Sequence, residues 1–438
     1  MPRHASDDGR QPRRRLAALA ALSGAAVGVA AALALGGPLA VLAPPSTPGA
    51  GAPSDAGAAT GPGRPGPSPS PSPSPTPPPA VFTLLAGGDV LTHSPVVASA
   101  GGPDDADFTP LLAGLDAWVQ GADLALCHLE VPVAPKGTAP GGYPLFAAPP
   151  GLVRDLDEQG WDGCSTASNH TVDRGYDGVR ATIRRLDAAG MGHAGTARSE
   201  AEQEEPQRYV LERGGREITV AHLAATYGLN GLPMPADAPW AVDLIDADRL
   251  VEQARAARED GADVVVVSLH AGVEYTEVLT DQQEDVVRRL ARSRAVDLVI
   301  GHHAHVPQRI DRVGKGPDGH GMWVAYGLGN LLSNQSADCC DARTSNGVLL
   351  SATFTQDAPD DPTRVTGVRW TGTTVDIGAG HEVHALPDVL GDPGLTSLSE
   401  AELAARQERV QEAVGDVAPE REEPPATTGP PPQVLPRD

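Results

Sequence analysis

Aromatic side chains are scarce in this chain: Phe 4, Tyr 6 and Trp 5 make up 3% of 438 residues. So thin a set argues against a surface that stacks successive bases. With only Cys 4, a small disulfide-dense scaffold is excluded as well. Positive charge is in deficit, Lys+Arg 33 against Asp+Glu 57, for a formal net charge of -24. A surface of that sign repels phosphate backbones, so nucleic acid is not an expected partner. Two catalytic signatures are also missing. No Gly-x-Ser-x-Gly elbow lies near Ser165 or Ser168, and Gly87-Gly88-Asp89 is followed neither by a Walker lysine nor by dinucleotide-loop spacing. In excess are Gly 50 and Pro 43, too many for packed elements alone, so part of the chain is linker.

The N-terminus carries Arg3, Arg10, Arg13, Arg14 and Arg15 against Asp7 and Asp8, then runs into an uncharged stretch from Leu16 to Leu35. At 1.5 Å rise per residue such a stretch spans about 30 Å, the thickness of a bilayer core. Residues 1–43 therefore read as a signal anchor or a signal peptide. Val41-Leu42-Ala43 offers a cleavage site but Pro44 follows it, which favours the anchor, and Arg13-Arg14 also permits a twin-arginine signal. Each reading puts the rest of the chain outside the cytoplasm, as a single-pass membrane protein or a secreted one. Residues 44–80 are a Pro/Ser-rich linker suited to an extended spacer.

From Val81 the pattern changes. Val81–Ala86, Ala122–Leu126, Val264–Leu269, Val296–Ile300 and Met322–Tyr326 are near-continuous apolar runs, as in strands buried on both faces of a largely parallel sheet. Helical spacing lies between them. Val179, Ile183 and Leu186 recur at helix period, and Thr280-Asp281-Gln282-Gln283 is a capping-box opening to a helix bearing Val286, Val287 and Leu290. Strands alternating with helices give an α/β class. Gly347–Thr355 and Arg364–Asp376 read as closing antiparallel strands. The folded domain is expected over 81–390, and 391–438 as a polar helix with a disordered Pro-rich tail.

Polar residues collect just past the apolar runs: Asp89; His128 and Glu130; Asn169 and His170; His270 and Glu274; His302, His303 and His305; Asn330. The carboxyl ends of strands are where an open α/β sheet builds a site. Carboxylate, amide and imidazole together suit divalent metals, and a mixed set can hold two ions roughly 3.5–4 Å apart. Singly, His128 or His170 has the alternative of a buried structural imidazole. His193, His222, His320, His381 and His384 read as structural or solvated. Arg309 and Arg312, beyond the histidine cluster, are candidate polymer contacts, with a solvated face as the alternative. The four cysteines allow three pairings: Cys127 and Cys164 end neighbouring strands, adjacent Cys339 and Cys340 would need a strained ring, and free thiols are the alternative.

In order, Gly88-Asp89-Val90-Leu91, Leu129-Glu130, Ser168-Asn169-His170 with Asp173 and Gly175, His270-Ala271-Gly272-Val273-Glu274-Tyr275, Gly301-His302-His303-Ala304-His305-Val306 with Gln308, and Tyr326-Gly327-Leu328-Gly329-Asn330 resemble the CapA family of poly-γ-glutamate capsule synthesis proteins. The resemblance covers about residues 82–335. It implies a metallophosphoesterase-like α/β sandwich with mixed, largely parallel central sheets, and a metal-dependent hydrolase site on a capsule or poly-γ-glutamate biosynthesis factor. The implied cofactors are two divalent ions, Mn, Zn or Fe. The implied ligands are Asp89, Glu130, Asn169, His270, His303 and His305, with Glu130 bridging and His170 as proton donor. His93, His128, Asp173, Glu274, His302 and Asn330 are then substrate contacts or supports. The implied partners are a cell-envelope polymer or phosphoester and other capsule synthesis membrane proteins. The chain departs from the pattern at Leu91, where phosphoesterases of this architecture carry His, with His93 two residues on, and at His128 and Ala271, where the family carries Asn and Trp. Leu91 favours an alternative, a polymer-binding or export subunit without turnover.

Overall fold

Strand formation follows the apolar runs closely in the computed structural model, which describes residues 77–437. In chain order the strands are β1 Ala80–Val90, β2 Leu124–Leu129, β3 Gly163–Ser165, β4 Gly192–Ala194, β5 Gln207–Arg213, β6 Arg216–Thr226, β7 Val264–His270, β8 Leu298–His302, β9 Ile310–Val313, β10 Met322–Ala325, β11 Asn330–Leu332, β12 Asn346–Gln356, β13 Arg364–Asp376, β14 Glu382–Ala385 and β15 Gln433–Leu435. They form two sheets, ordered β14-β13-β12-β1-β2-β3-β4, with β11 also paired to β1, and β15-β5-β6-β7-β8-β10-β9.

Side chains alternate across a strand, and here the alternation divides two cores. Phe82, Leu84 and Ala86 of β1, with Leu124 and Leu126 of β2, meet Tyr209, Val220, Val264, Val266, Leu298 and Ile300 of the second sheet. The sheets therefore pack face to face. Leu85 and Val90, with Ala125 and Leu129, face the other way onto helices Asp116–Gln120 and Gly151–Gln159 through Trp118, Val119, Leu152 and Leu156. Val265, Val267 and Val299 face helices Ala247–Glu259 and Asp281–Ser293. The result is an α/β sandwich of four layers. Phe82 stacks on its cross-strand partner Phe354 at 4.9 Å between the sheets; truncating such a side chain to Ala costs about 3–5 kcal/mol. The Thr280–Gln283 capping box forms as the sequence indicates.

The sheets are mixed, with parallel strands at their centres as expected. Parallel pairing is confined to β1-β2-β3-β4, β1-β11 and β6-β7-β8-β10, while β12 to β14, β5, β9 and β15 are antiparallel. The hairpin β5–β6, turned through Gly214 and Gly215 at positive φ, accounts for part of this.

The C-terminal segment is not a disordered tail. Helix Glu400–Val414, capped by Ser399, buries Leu403, Val410 and Val414 in the core that holds Trp370 and Leu386. Thr428 donates its hydroxyl to the Val81 carbonyl and its N–H to Asp123. Strand β15 then pairs with β5, and buried Arg437 donates to the carbonyls of His193 and Thr196. Composition registers local propensity alone; an open sheet edge supplies main-chain partners that a Pro-flanked segment cannot supply itself.

Both cysteine pairs are bridged, Cys127–Cys164 between facing positions of β2 and β3 and Cys339–Cys340 in the loop after β11. Among the described residues no helix is long and apolar enough to cross a membrane. The Leu16–Leu35 segment and the linker up to residue 76 lie outside the described residues.

Candidate metal centre

Strand register assembles the site. In the first sheet Asp89 pairs with His128 and His128 with Ser165, so the ends of β1, β2 and β3 form one row, with Asn330 of β11 beside Asp89. In the second sheet His270 faces His302 across β7 and β8. Glu130 and His303 follow directly on these strands, and Asn169 and His305 lie in the turns just beyond them. Two glycines permit the close approach. A Cβ on Gly88 would collide with the Gly329 carbonyl, to which the Asp89 N–H donates at 2.8 Å, and one on Gly301 would collide with the Tyr326 carbonyl.

The donors from the two sheets face one another in a buried centre. His305 Nδ1 lies 3.1 Å from an Asp89 carboxylate oxygen, and its Nε2 is 3.8 Å from Glu130 Oε1. His270 Nε2 lies 3.8 Å from the same Glu130 oxygen and 2.8 Å from Asn169 Oδ1. Asp89, Glu130 and His305 each place a ligand atom within 4.8 Å of the others, as do Asp89, His128 and His270, and Glu274, His303 and His305. Both Glu130 oxygens and His303 Nδ1 are buried without a hydrogen-bond partner. An unpaired buried carboxylate is costly, and a cation is the partner that this donor set fits.

Supporting contacts fix the donors. His128 joins Ser165 Oγ at 2.7 Å and His270 Nδ1 at 2.9 Å, leaving His270 Nε2 for the centre, and its ring stacks on His302 at 4.0 Å. His302 Nδ1 reaches Asp89 Oδ1 at 3.1 Å, and the His303 N–H donates to Asp89 Oδ2 at 3.1 Å. Asn330 Oδ1 lies 3.1 Å from His305 Nδ1, while its amide donates to Gln335 and to the Thr344 carbonyl. Partners of this kind set ring orientation and tautomer. His303 and His305 both adopt left-handed backbone, φ 87 and 57, at a cost of about 1–3 kcal/mol each that the surrounding contacts must sustain.

Charge is redistributed accordingly. Burial pushes the Asp89 carboxyl up, but hydrogen bonds from His302 and His305 outweigh it and hold it well below the usual range. Burial drives Glu130 well above that range. Burial alone would lower His305, yet Glu130 and Asp89 push it up to about 9. Burial lowers His128 and His270 strongly and His303 to about 3, which keeps these imidazoles neutral, as metal ligation requires.

A cavity of about 630 Å³ opens beside the centre. His170 lies on its wall, with Nδ1 held at 2.7 Å by Asp173, which also accepts the Phe146 N–H; Nε2 is 3.5 Å from the Asn230 amide. His93 and Glu274 line the cavity too, and burial lowers His93 to about 4. Sequence reasoning missed Tyr143, Asn230, Asn334 and Gln335 on this wall; Tyr275 belongs to the His270–Tyr275 motif, and Cys339 and Cys340 entered only as a possible bridge. Only the turn dipeptide Asn230-Gly231 was a readable signal. Among the described residues no Arg or Lys lines the cavity. Arg309 and Arg312 instead lie over the rings of Tyr326 and Trp323, at 5.1 and 4.8 Å.

The family described as bacterial capsule synthesis protein PGA_cap matches residues 83–335. The chain is similar to the capsule biosynthesis protein CapA of Bacillus anthracis, 27% identical over 187 residues, which covers 42% of this chain and 43% of that protein. To the PGA biosynthesis protein CapA of Bacillus subtilis it is 26% identical over 184 residues, 42% of this chain and 45% of that one. To a probable polyglutamine synthesis accessory protein of Mycobacterium tuberculosis it is 25% identical over 223 residues, 48% and 56%. The matches span about half the length of these curated relatives. Among solved structures, the 5'-nucleotidase precursor of Thermus thermophilus is similar over 76% of this chain and 58% of that one, with 14% identity and a TM-score of 0.42. NAD nucleotidase of Haemophilus influenzae is similar over 77% and 57%, with 10% identity and a TM-score of 0.41.

Proposed function

Because the chain belongs to the PGA_cap family of bacterial capsule synthesis proteins, we propose that it acts in building a cell-envelope polymer of the poly-γ-glutamate kind, as an extracytoplasmic metal-dependent hydrolase of phosphoester bonds. The observation that carries the hydrolase reading is Glu130, buried between the sheets with both oxygens unpartnered and facing His270 and His305 at the same 3.8 Å. In this reading Asp89, Glu130 and His305 would hold one divalent ion, and Glu130, Asn169, His270 and His303 a second, with Glu130 shared. Such ions supply Lewis acidity toward a phosphoryl oxygen and make water a better nucleophile near neutral pH. The chain's own residues do the rest. Asp173 fixes the His170 ring with Nε2 toward the cavity, where it delivers a proton to the leaving oxygen. Asn230 steadies that edge of the ring.

The Leu16–Leu35 segment supports a membrane anchor with the folded part outside, where other capsule synthesis membrane proteins would be its partners. A second reading, a polymer-binding or export subunit without turnover, is favoured by Leu91: this side chain is buried in the apolar core and offers no donor two residues after Asp89. Hydrolysis of a panel of phosphomonoesters and phosphodiesters by the full chain separates the two. His170→Ala is expected to lower turnover about 10²–10⁴-fold with metal content unchanged. Wild-type protein that carries metal yet turns over no member of the panel supports the subunit reading.

A further inference from the structure

The two proposed ion positions are unequally supplied. Glu130, Asn169, His270 and His303 serve one, but only Asp89, Glu130 and His305 serve the other. Catalytic zinc sites hold three protein ligands beside an open position, and manganese sites take more donors, largely oxygen. Residue 91 cannot add one. Leu91 is 2% exposed in a core with Leu129 and Leu332, and its N–H is bonded to the Leu332 carbonyl.

Another carboxylate stands close to both histidines of the turn. Exposed Glu274 places an oxygen within 4.8 Å of one imidazole nitrogen of His303 and one of His305, and His303 Nδ1 is buried without a hydrogen-bond partner. The loop after β7 that carries Glu274 is tied to the histidine turn, because Tyr275, at φ 65, donates its N–H to the Ala304 carbonyl at 2.8 Å. Arg343 braces the loop, bonding the Tyr275 carbonyl at 3.0 Å and Glu277 at 2.7 Å. Glu277 is thus paired, whereas no Arg or Lys among the described residues pairs with Glu274. We propose that Glu274 is a metal ligand that completes the Asp89–Glu130–His305 position from the cavity side. This rests on the metal-centre reading above. It also sets the charge balance: three carboxylates against two divalent ions leave one net positive charge, matched to a single anionic group of a phosphoester.

The test is calorimetric titration of the metal-stripped full chain with Mn²⁺, in wild type, Glu274→Gln and Tyr143→Ala, with circular dichroism to check the fold. Wild type and Tyr143→Ala are expected to bind two ions alike. Glu274→Gln is expected to bind one of them at least tenfold more weakly, or to lose it, with the fold intact. The visible absorption of bound Co²⁺ should shift in Glu274→Gln alone, as its coordination changes. Wild-type affinities for both ions and an unchanged Co²⁺ spectrum in Glu274→Gln would overturn the ligand role and leave the metal centre standing. A wild-type chain that binds no ion would overturn the metal centre and this proposal together.

Discussion

The two sheets bring different chemistry to one place. The first contributes oxygen: Asp89, Glu130 and Asn169 at or beyond the ends of β1, β2 and β3. The second contributes nitrogen: His270 at the end of β7, and His303 and His305 after β8. Oxygen donors carry the charge that draws a cation, and imidazoles carry the direction and the preference for borderline metals. Neither half is sufficient, so the centre depends on how the sheets are held face to face. Their mutual effect is visible in titration: the imidazoles hold Asp89 down, and the carboxylates push His305 up to about 9.

Loosening one sheet from the other breaks this comparison most severely. Truncation after residue 390 removes helix Glu400–Val414, strand β15 at the edge of the second sheet and the Arg437 contacts. Burial of Leu403, Val410 and Val414 at about 1.5–3 kcal/mol each approaches the whole stability of an ordinary domain, about 5–15 kcal/mol. The expected result is loss of cooperative thermal unfolding; an unchanged melting temperature would show a dispensable tail.

His128 sharpens the comparison because it is an imidazole on the oxygen side. It orients His270 without belonging to the proposed ligand set, so His128→Ala should weaken metal binding about 10–100-fold, measured by chelator competition, with both ions still bound at saturation. Complete loss of one ion would make it a ligand instead.

Asp162 gives the smallest effect: its carboxylate accepts the Ala125 N–H of β2 in the first sheet but belongs to neither donor set. Burial raises its carboxyl from 3.8 to about 7, so the folded chain holds a proton that the unfolded chain releases. Stability from this group is present at low pH and lost as pH rises through about 7. Asp162→Asn should flatten that decline in urea unfolding between about pH 4 and 7 and leave metal content alone. An unaltered pH profile would assign the decline to other groups.

The donor floor was legible because the candidate donors lie at or just past apolar runs: Val264–Leu269 stops at His270, and Val296–Ile300 leads into His303 and His305. Periodicity marks where a strand ends, and parallel strands end on one side. Cross-strand support was not legible. That His128 stands between Ser165 and His270 depends on strand register and on sheet packing, which no local pattern encodes. The cavity wall comes from loops without period, so Tyr143, Asn334 and Gln335 carried no signal. The β5–β6 hairpin was missed because charged Glu212, Arg216 and Glu217 interrupt its apolar alternation near the turn.

The most direct test of a metal centre shared between the sheets is elemental analysis of the full chain beside its His303→Ala, His305→Ala variant. The account predicts close to two divalent ions per wild-type chain, and their loss from a variant that keeps the wild-type circular dichroism. Negligible metal in both proteins, or equal metal in both, would contradict it.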